Sequence, residues 1–136
     1  MEPGYRELPH TADLALEAWG PSLGELFVQA ARGMFSLAVA LEAQPAVTAE
    51  RTISLSAPDA EALLVDWLNE LLSLADEQGE AYLGFDVEIP APGELRARAR
   101  ATADYAPRIA VKAATFHNLA IAHDERGYRT VVVFDV

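Results

Sequence analysis

Between Glu94 and Ala103 the chain alternates without a break. Leu95, Ala97, Ala99 and Ala101 take one set of positions, and Arg96, Arg98 and Arg100 take the other. Strict period-two alternation marks a strand with one covered face and one open face. A strand of this kind forces a fold in which another layer lies over its apolar side. Two upstream segments can supply that layer. In the first, Leu23, Leu26, Phe27, Ala30, Ala31, Met34, Phe35 and Ala38 recur at three- and four-residue steps, the pattern of an amphipathic helix. Ser22, with Glu25 three residues on, has the form of a capping box. Gly33 inside this helix is expected where another element packs close. In the second, Leu64, Trp67, Leu68, Leu71, Leu72 and Ala75 form one apolar stripe, with Asp66, Asn69, Glu70 and Ser73 on other faces. Ser56-Ala57-Pro58-Asp59 reads as its start and Gly79 as its end.

The remaining segments read as strands and turns. Strand patterns run from Ala12 to Trp19, Thr48 to Ser56, Tyr82 to Ile89, Ile109 to Ile121 and Tyr128 to Val136. Gln44-Pro45, Pro90-Ala91-Pro92-Gly93, the Asp104 to Arg108 stretch and His123 to Gly127 read as loops and turns. Val131 to Phe134 are apolar on both faces, as in a strand covered from both sides. The order is strand, helix, strand, helix, then four strands. That order predicts an α+β fold, a single compact domain spanning residues 1–136, with two amphipathic helices packed on a mostly antiparallel β-sheet. A length of 136 residues suits one domain with a real core.

Composition removes several classes of function. With no cysteine, the chain has no disulfides, no thiolate nucleophile and no Cys-based zinc site. Its start lacks the basic and apolar regions of a signal peptide. No segment approaches ~18 consecutive apolar residues, so no membrane span and a cytoplasmic location are expected. The net charge of −11, from 21 acidic against 10 basic residues, repels phosphate backbones and argues against stable direct nucleic-acid binding. It suits a cation, docking onto a basic protein, or simply solubility.

Four groups of residues carry the candidate chemistry. His10 and Asp13 stand at the mouth of the first predicted strand, and Asp135 precedes Val136 in a strongly apolar last strand. If those strands are neighbours, their carboxylates converge, and hard cations take oxygen ligands of this sort. Taken singly, each Asp also fits a turn or capping role. Lys112-Ala113-Ala114-Thr115-Phe116-His117 forms the second group. On a strand Thr115 and His117 would share a face, suited to a phosphate or a polarised substrate group, or to a buried hydrogen-bonded His. The third group is Asp66 with Glu70, one helical turn apart and either cation-binding or a solvated face. The fourth is the row Arg96, Arg98, Arg100, which fits an acidic partner or, more simply, covers an open sheet face and keeps edges from aggregating. Neither a Walker loop nor a dinucleotide fingerprint is present.

Together these segments resemble the archease family. The residues that carry the resemblance are His10-Thr11-Ala12-Asp13 with Ala18-Trp19-Gly20, Gly33-Met34-Phe35-Ser36, the Leu64 to Leu72 segment, the Lys112 to His117 segment, and Val133-Phe134-Asp135-Val136. The resemblance implies an accessory protein of RNA ligation, not itself an enzyme. It implies an activator of an RtcB-type RNA ligase in tRNA splicing or RNA repair, promoting guanylylation and turnover of the ligase. GTP then enters only through the ligase. It also implies a divalent cation, Ca²⁺ or else Mg²⁺ or Mn²⁺, on Asp13, Asp135 and the main-chain carboxylate of Val136. His10, Glu70, Lys112 and His117 are candidate supporting residues. The segment before Ile109 is shorter than in many members and keeps only Pro107-Arg108. Two alternatives stand beside this reading. One is a small metal-dependent hydrolase or phosphotransferase using Asp13, Asp135 and His117; the other is a plain protein-binding module.

Overall fold

The computed structural model describes residues 1–8 and 13–136 of the chain. Among them the order begins β1 (Gly4–Leu8), β2 (Leu14–Gly20), α1 (Leu23–Ala38), β3 (Val39–Leu41), β4 (Ala49–Ser56) and α2 (Ala60–Gln78). It continues with β5 (Ala81–Ala91), β6 (Glu94–Thr102), β7 (Tyr105–Pro107), β8 (Ala113–Ala114), β9 (Ala122–Asp124) and β10 (Gly127–Asp135). The helix signals act as their chemistry requires. Ser22 Oγ accepts the Glu25 N–H at 3.1 Å, and Asp59 Oδ1 accepts the Ala62 N–H at 2.8 Å. Each satisfies an N–H that the first turn leaves without an intrahelical partner. Gly79 ends α2 in the left-handed conformation, φ 65° and ψ 48°, which glycine adopts without steric cost.

Among the described residues every strand pairing is antiparallel, but the pairings fall into three sheets rather than one. One sheet is ordered β1-β2-β10-β8, with β9 also on β10; a second is β4-β6-β5; β3 and β7 form a two-stranded ribbon. The alternating segment is β6, and Leu95, Ala97, Ala99 and Ala101 are buried as expected. It is the central strand of its sheet, so its arginines guard no edge. Arg100 instead bonds Asp86 at 2.8 Å, and Arg98 lies 3.8 Å from Glu50, pairing charges across the open face.

The helices pack between the two larger sheets. α1 touches β2 and β5, and α2 touches β8 and β4. α1 is consequently buried around most of its circumference, Gln29 included, more like a core helix than a one-sided one. Trp67 is fully buried, and its Nε1–H donates to the Phe27 carbonyl of α1 at 3.0 Å. Phe35, Tyr82 and Phe85 extend this core, with the Phe35 and Tyr82 rings edge-on at 5.3 Å. Gly33 faces β2, where an added Cβ would stand 2.5 Å from Leu16 Cδ2. That is the close approach anticipated for it.

The predicted strand from Ile109 to Ile121 does not form. Only Ala113–Ala114 pairs there as β8. Asn118 takes φ 50°, and the Leu119 N–H closes a turn onto Phe116 O at 3.0 Å. Val111, Leu119 and Ile121 pack on the core from irregular backbone, so their strand-like composition reflects burial rather than pairing. Three short strands also escape a periodicity reading: β1, β3 and β7. Among the described residues the last two pair with each other; β7 falls within the Asp104 to Arg108 stretch that reads as a loop, and β3 directly follows the first predicted helix. Likewise Ala122–Asp124 forms β9, which confines the predicted 123–127 turn to the residues between it and β10.

Candidate functional site

The geometry of the site follows from the register of one strand pair. β10 runs antiparallel to β2 from Tyr128 opposite Gly20 to Phe134 opposite Leu14. Phe134 and Leu14 are therefore the last matched residues, and Asp135 and Asp13 follow them at the same end. Phe134 is fully buried and Leu14 packs against the core. These two apolar anchors fix where the following carboxylates emerge. Because side chains alternate along a strand, Asp135 projects to the face opposite Phe134. Asp13 is half-buried, whereas Asp135 and Val136 are exposed. Among the described residues, neither carboxylate enters an ion pair.

On its other side β10 meets β8, with Phe134 opposite Ala114 and Asp135 opposite Ala113. The Lys112 N–H donates to the Asp135 carbonyl at 2.8 Å, and the Thr115 N–H donates to Val133 O at 3.0 Å. The Lys112 side chain is exposed. This end of the sheet thus gathers Asp13, Asp135, Val136 and the backbone of Lys112. Carboxylate oxygens such as those of Asp13 and Asp135 are donors of the kind a hard divalent cation takes. Among the described residues, no three His, Cys, Asp or Glu side chains form a metal-holding group. Two such side chains, Asp13 and Asp135, stand at this end, with Val136 beside them.

The other predicted residues are distributed differently. His10 lies outside the described residues. Thr115 and His117 do not share a strand face, because the backbone turns there. The Thr115 hydroxyl donates to Val133 O at 2.9 Å and accepts the His117 N–H at 3.3 Å, so it is engaged in holding the turn. His117 Nε2 lies 3.4 Å from Asn118 Nδ2. Glu70 is half-buried on α2 and Asp66 is exposed. The residue sequence reasoning misplaced is Asn69, set among the polar faces of α2. Its Oδ1 accepts the Ala114 N–H at 2.7 Å, and its Nδ2 donates to Ala114 O at 3.2 Å. Between Leu68 and Glu70, nothing in the sequence sets it apart from any other polar residue on a helix.

Two helices enclosed by antiparallel sheets, with acidic residues gathered where β10 ends beside the start of β2, define a small α+β protein with a carboxylate-bearing tip. The chain matches the model of the Archease protein family over residues 5–136, and it belongs to that family. It is 35% identical to the protein archease of Methanosarcina mazei, covering 97% of this chain and 95% of that protein. It is 33% identical to that of Archaeoglobus fulgidus, covering 97% and 98%. The solution structure of Methanobacterium thermoautotrophicum protein 1598 superposes with a TM-score of 0.79 at 28% identity, covering 98% of this chain and 99% of that one. A Thermotoga maritima crystal structure, described as an archease and possible chaperone, superposes with a TM-score of 0.70 at 26% identity, over 96% of each chain. Among the described residues, no helix is long and apolar enough to cross a membrane.

Proposed function

We propose that this protein is a non-catalytic activator of an RtcB-type RNA ligase, acting through a divalent cation held at the tip by Asp13, Asp135 and the carboxylate of Val136. The observation that carries the reading is the β2–β10 register, which ends at Leu14 opposite Phe134 and sets the two aspartates next in line. Membership of the archease family supports the ligase as the partner class, and the description of the Thermotoga maritima relative as a possible chaperone suits a protein partner. A net charge of −11 favours a cation or a basic protein face over nucleic acid.

Ca²⁺ fits an all-oxygen donor set that is partly exposed, and Mg²⁺ or Mn²⁺ would use the same carboxylates. Bound there, a cation supplies positive charge for phosphate oxygens at the ligase nucleotide site, where phosphoryl transfer depends on positioning and charge stabilisation. The chain's own contribution is to hold the carboxylates on a rigid sheet end and to present them outward. GTP is then met only through the ligase, and the protein turns nothing over by itself.

The test is stimulation of a cognate RNA ligase by wild type and by Asp135→Ala, with and without chelator. The side chain of Asp135 is exposed and outside the core, so Asp135→Ala is expected to fold normally and lose stimulation. Full stimulation by the folded variant sinks the reading. Metal-dependent hydrolysis by the purified protein alone would instead favour a stand-alone enzyme.

A further inference from the structure

β8 is two residues long and sits at one edge of its sheet. So short a pairing holds poorly by itself, and an edge strand leaves N–H and C=O groups open on its outer side. Here that outer side faces α2. Ala114 is 4% exposed, so water is a poor substitute for missing hydrogen bonds. The carboxamide of Asn69 takes both groups of Ala114, accepting its N–H at 2.7 Å and donating to its carbonyl at 3.2 Å. A residue in a neighbouring antiparallel strand exchanges the same pair of bonds. Asn69 thus supplies from a helix what a further strand would supply. Its orientation is forced, since a flipped amide would set oxygen against oxygen and nitrogen against N–H.

On either side of Ala114 the backbone turns its donors the other way. Lys112 bonds Asp135 O and Thr115 bonds Val133 O. The chain of contacts therefore runs from α2 through Asn69 to Ala114, through β8 to Lys112, and from there to the backbone of Asp135. We infer that Asn69 is a positioning residue for the carboxylate tip: it clamps β8 against β10 and so fixes the backbone from which Asp135 and Val136 present their carboxylates. The positioning role rests on the cation-site reading; the clamp itself does not.

The experiment compares wild type with Asn69→Ala and Asn69→Asp, using Glu77→Ala, an exposed position on the same helix, as control. Asn69→Asp keeps the acceptor for the Ala114 N–H but sets a charged oxygen against Ala114 O, with little change in size. Amide hydrogen exchange by NMR reads the clamp, and calorimetric titration with Ca²⁺ alone reads the site. In both Asn69 variants, the Lys112 and Thr115 amides are expected to lose protection by about 10-fold or more, while Leu16 and Val132 amides keep theirs, as local opening allows. Ca²⁺ affinity is expected to fall by about 10-fold, the usual loss when a residue orienting a metal ligand is removed. Glu77→Ala should change neither. Wild-type protection at Lys112 and Thr115 in Asn69→Ala overturns the clamp. Lost protection with unchanged Ca²⁺ affinity overturns the positioning role and leaves a purely structural contact. A wild-type protein that takes up no Ca²⁺ sinks the cation reading, and the positioning role with it, while the exchange data still decide the clamp.

Discussion

Arg51 grips Glu80 with two parallel hydrogen bonds, Nε to Oε2 at 2.8 Å and a terminal nitrogen to Oε1 at 2.7 Å. The Tyr82 hydroxyl adds a third at 2.8 Å to Oε2. The pair joins β4 to the junction between α2 and β5, and Glu80 is 7% exposed. The side-chain hydrogen bonds from Arg51 hold the Glu80 carboxyl below its usual value, and they outweigh the burial that pushes the other way. Burial, followed by the bond to Glu80, raises the Tyr82 phenol well above its ordinary range.

A pH dependence of stability follows. A carboxyl whose folded pKa is depressed stabilises the fold fully above its unfolded value of about 4.3, and that stability is lost as pH falls through the folded pKa. Urea midpoints should therefore hold level above about pH 5 and decline below it. Glu80→Gln should have a lower midpoint at neutral pH and a shallower decline in acid. Parallel curves for the two proteins would show that Glu80 has no part in the acid limb.

Gly33→Ala should destabilise the protein although alanine is the better helix former. The added Cβ would stand 2.5 and 2.9 Å from the two Leu16 methyls and 3.0 Å from Tyr5 Cδ2. Leu16 is 1% exposed, so it has no free space to retreat into. Overpacking of this kind costs about 1–3 kcal/mol, against roughly 1 kcal/mol gained in helix propensity. Net destabilisation of up to about 2 kcal/mol is expected in urea unfolding. A gain in stability would mean that β2 and α1 can separate at little cost.

The signals legible in the chain were local ones. Ser22, Asp59 and Gly79 mark helix boundaries through bonds made within a few residues, and the alternation in β6 needs only one covered face. What escaped reading depends on partners distant in sequence. β3 and β7 are three residues each and exist because Val39–Leu41 meets Tyr105–Pro107, which no period reveals. The apolar run after Ile109 has strand composition but serves as an irregular cover for the core. The tip was legible in outline, since Asp13 and Asp135 were expected to converge if the first and last patterned strands paired, and β2 and β10 do pair. Asn69 was not, because a side chain that replaces a strand looks in sequence like any polar residue on a helix.

Trp67→Phe tests how firmly the two helices are joined. The indole is fully buried and its N–H is donated to Phe27 O at 3.0 Å, while its ring packs edge-on against Phe85 at 5.9 Å. Phenylalanine keeps the aromatic contact but loses the hydrogen bond and part of the volume. A loss of about 2–3 kcal/mol is expected, combining a small cavity with one hydrogen bond. Equilibrium unfolding should show a lower midpoint with an unchanged denaturant slope. A loss below about 0.5 kcal/mol, within the range of an ordinary surface substitution, would show that the core repacks around the smaller ring.

One extra glycine after Val136 is the sharpest probe of the tip, because it displaces a carboxylate while keeping every side chain. Val136 lies beyond β10 and is 43% exposed, so the addition should leave the melting temperature unchanged. On the proposed reading the displaced carboxylate no longer completes the donor set, and a peptide carbonyl takes its place. A neutral oxygen is a weaker ligand for a hard cation than a carboxylate. Calorimetric Ca²⁺ titration should then show affinity reduced by about 10-fold or more, and stimulation of the ligase should fall in step. Capping the chain with an amide removes the charge without adding length and should act in the same direction. If the extended protein binds Ca²⁺ and stimulates the ligase as well as wild type does, the main-chain carboxylate is not a ligand, and Asp13 with Asp135 must hold the cation without it.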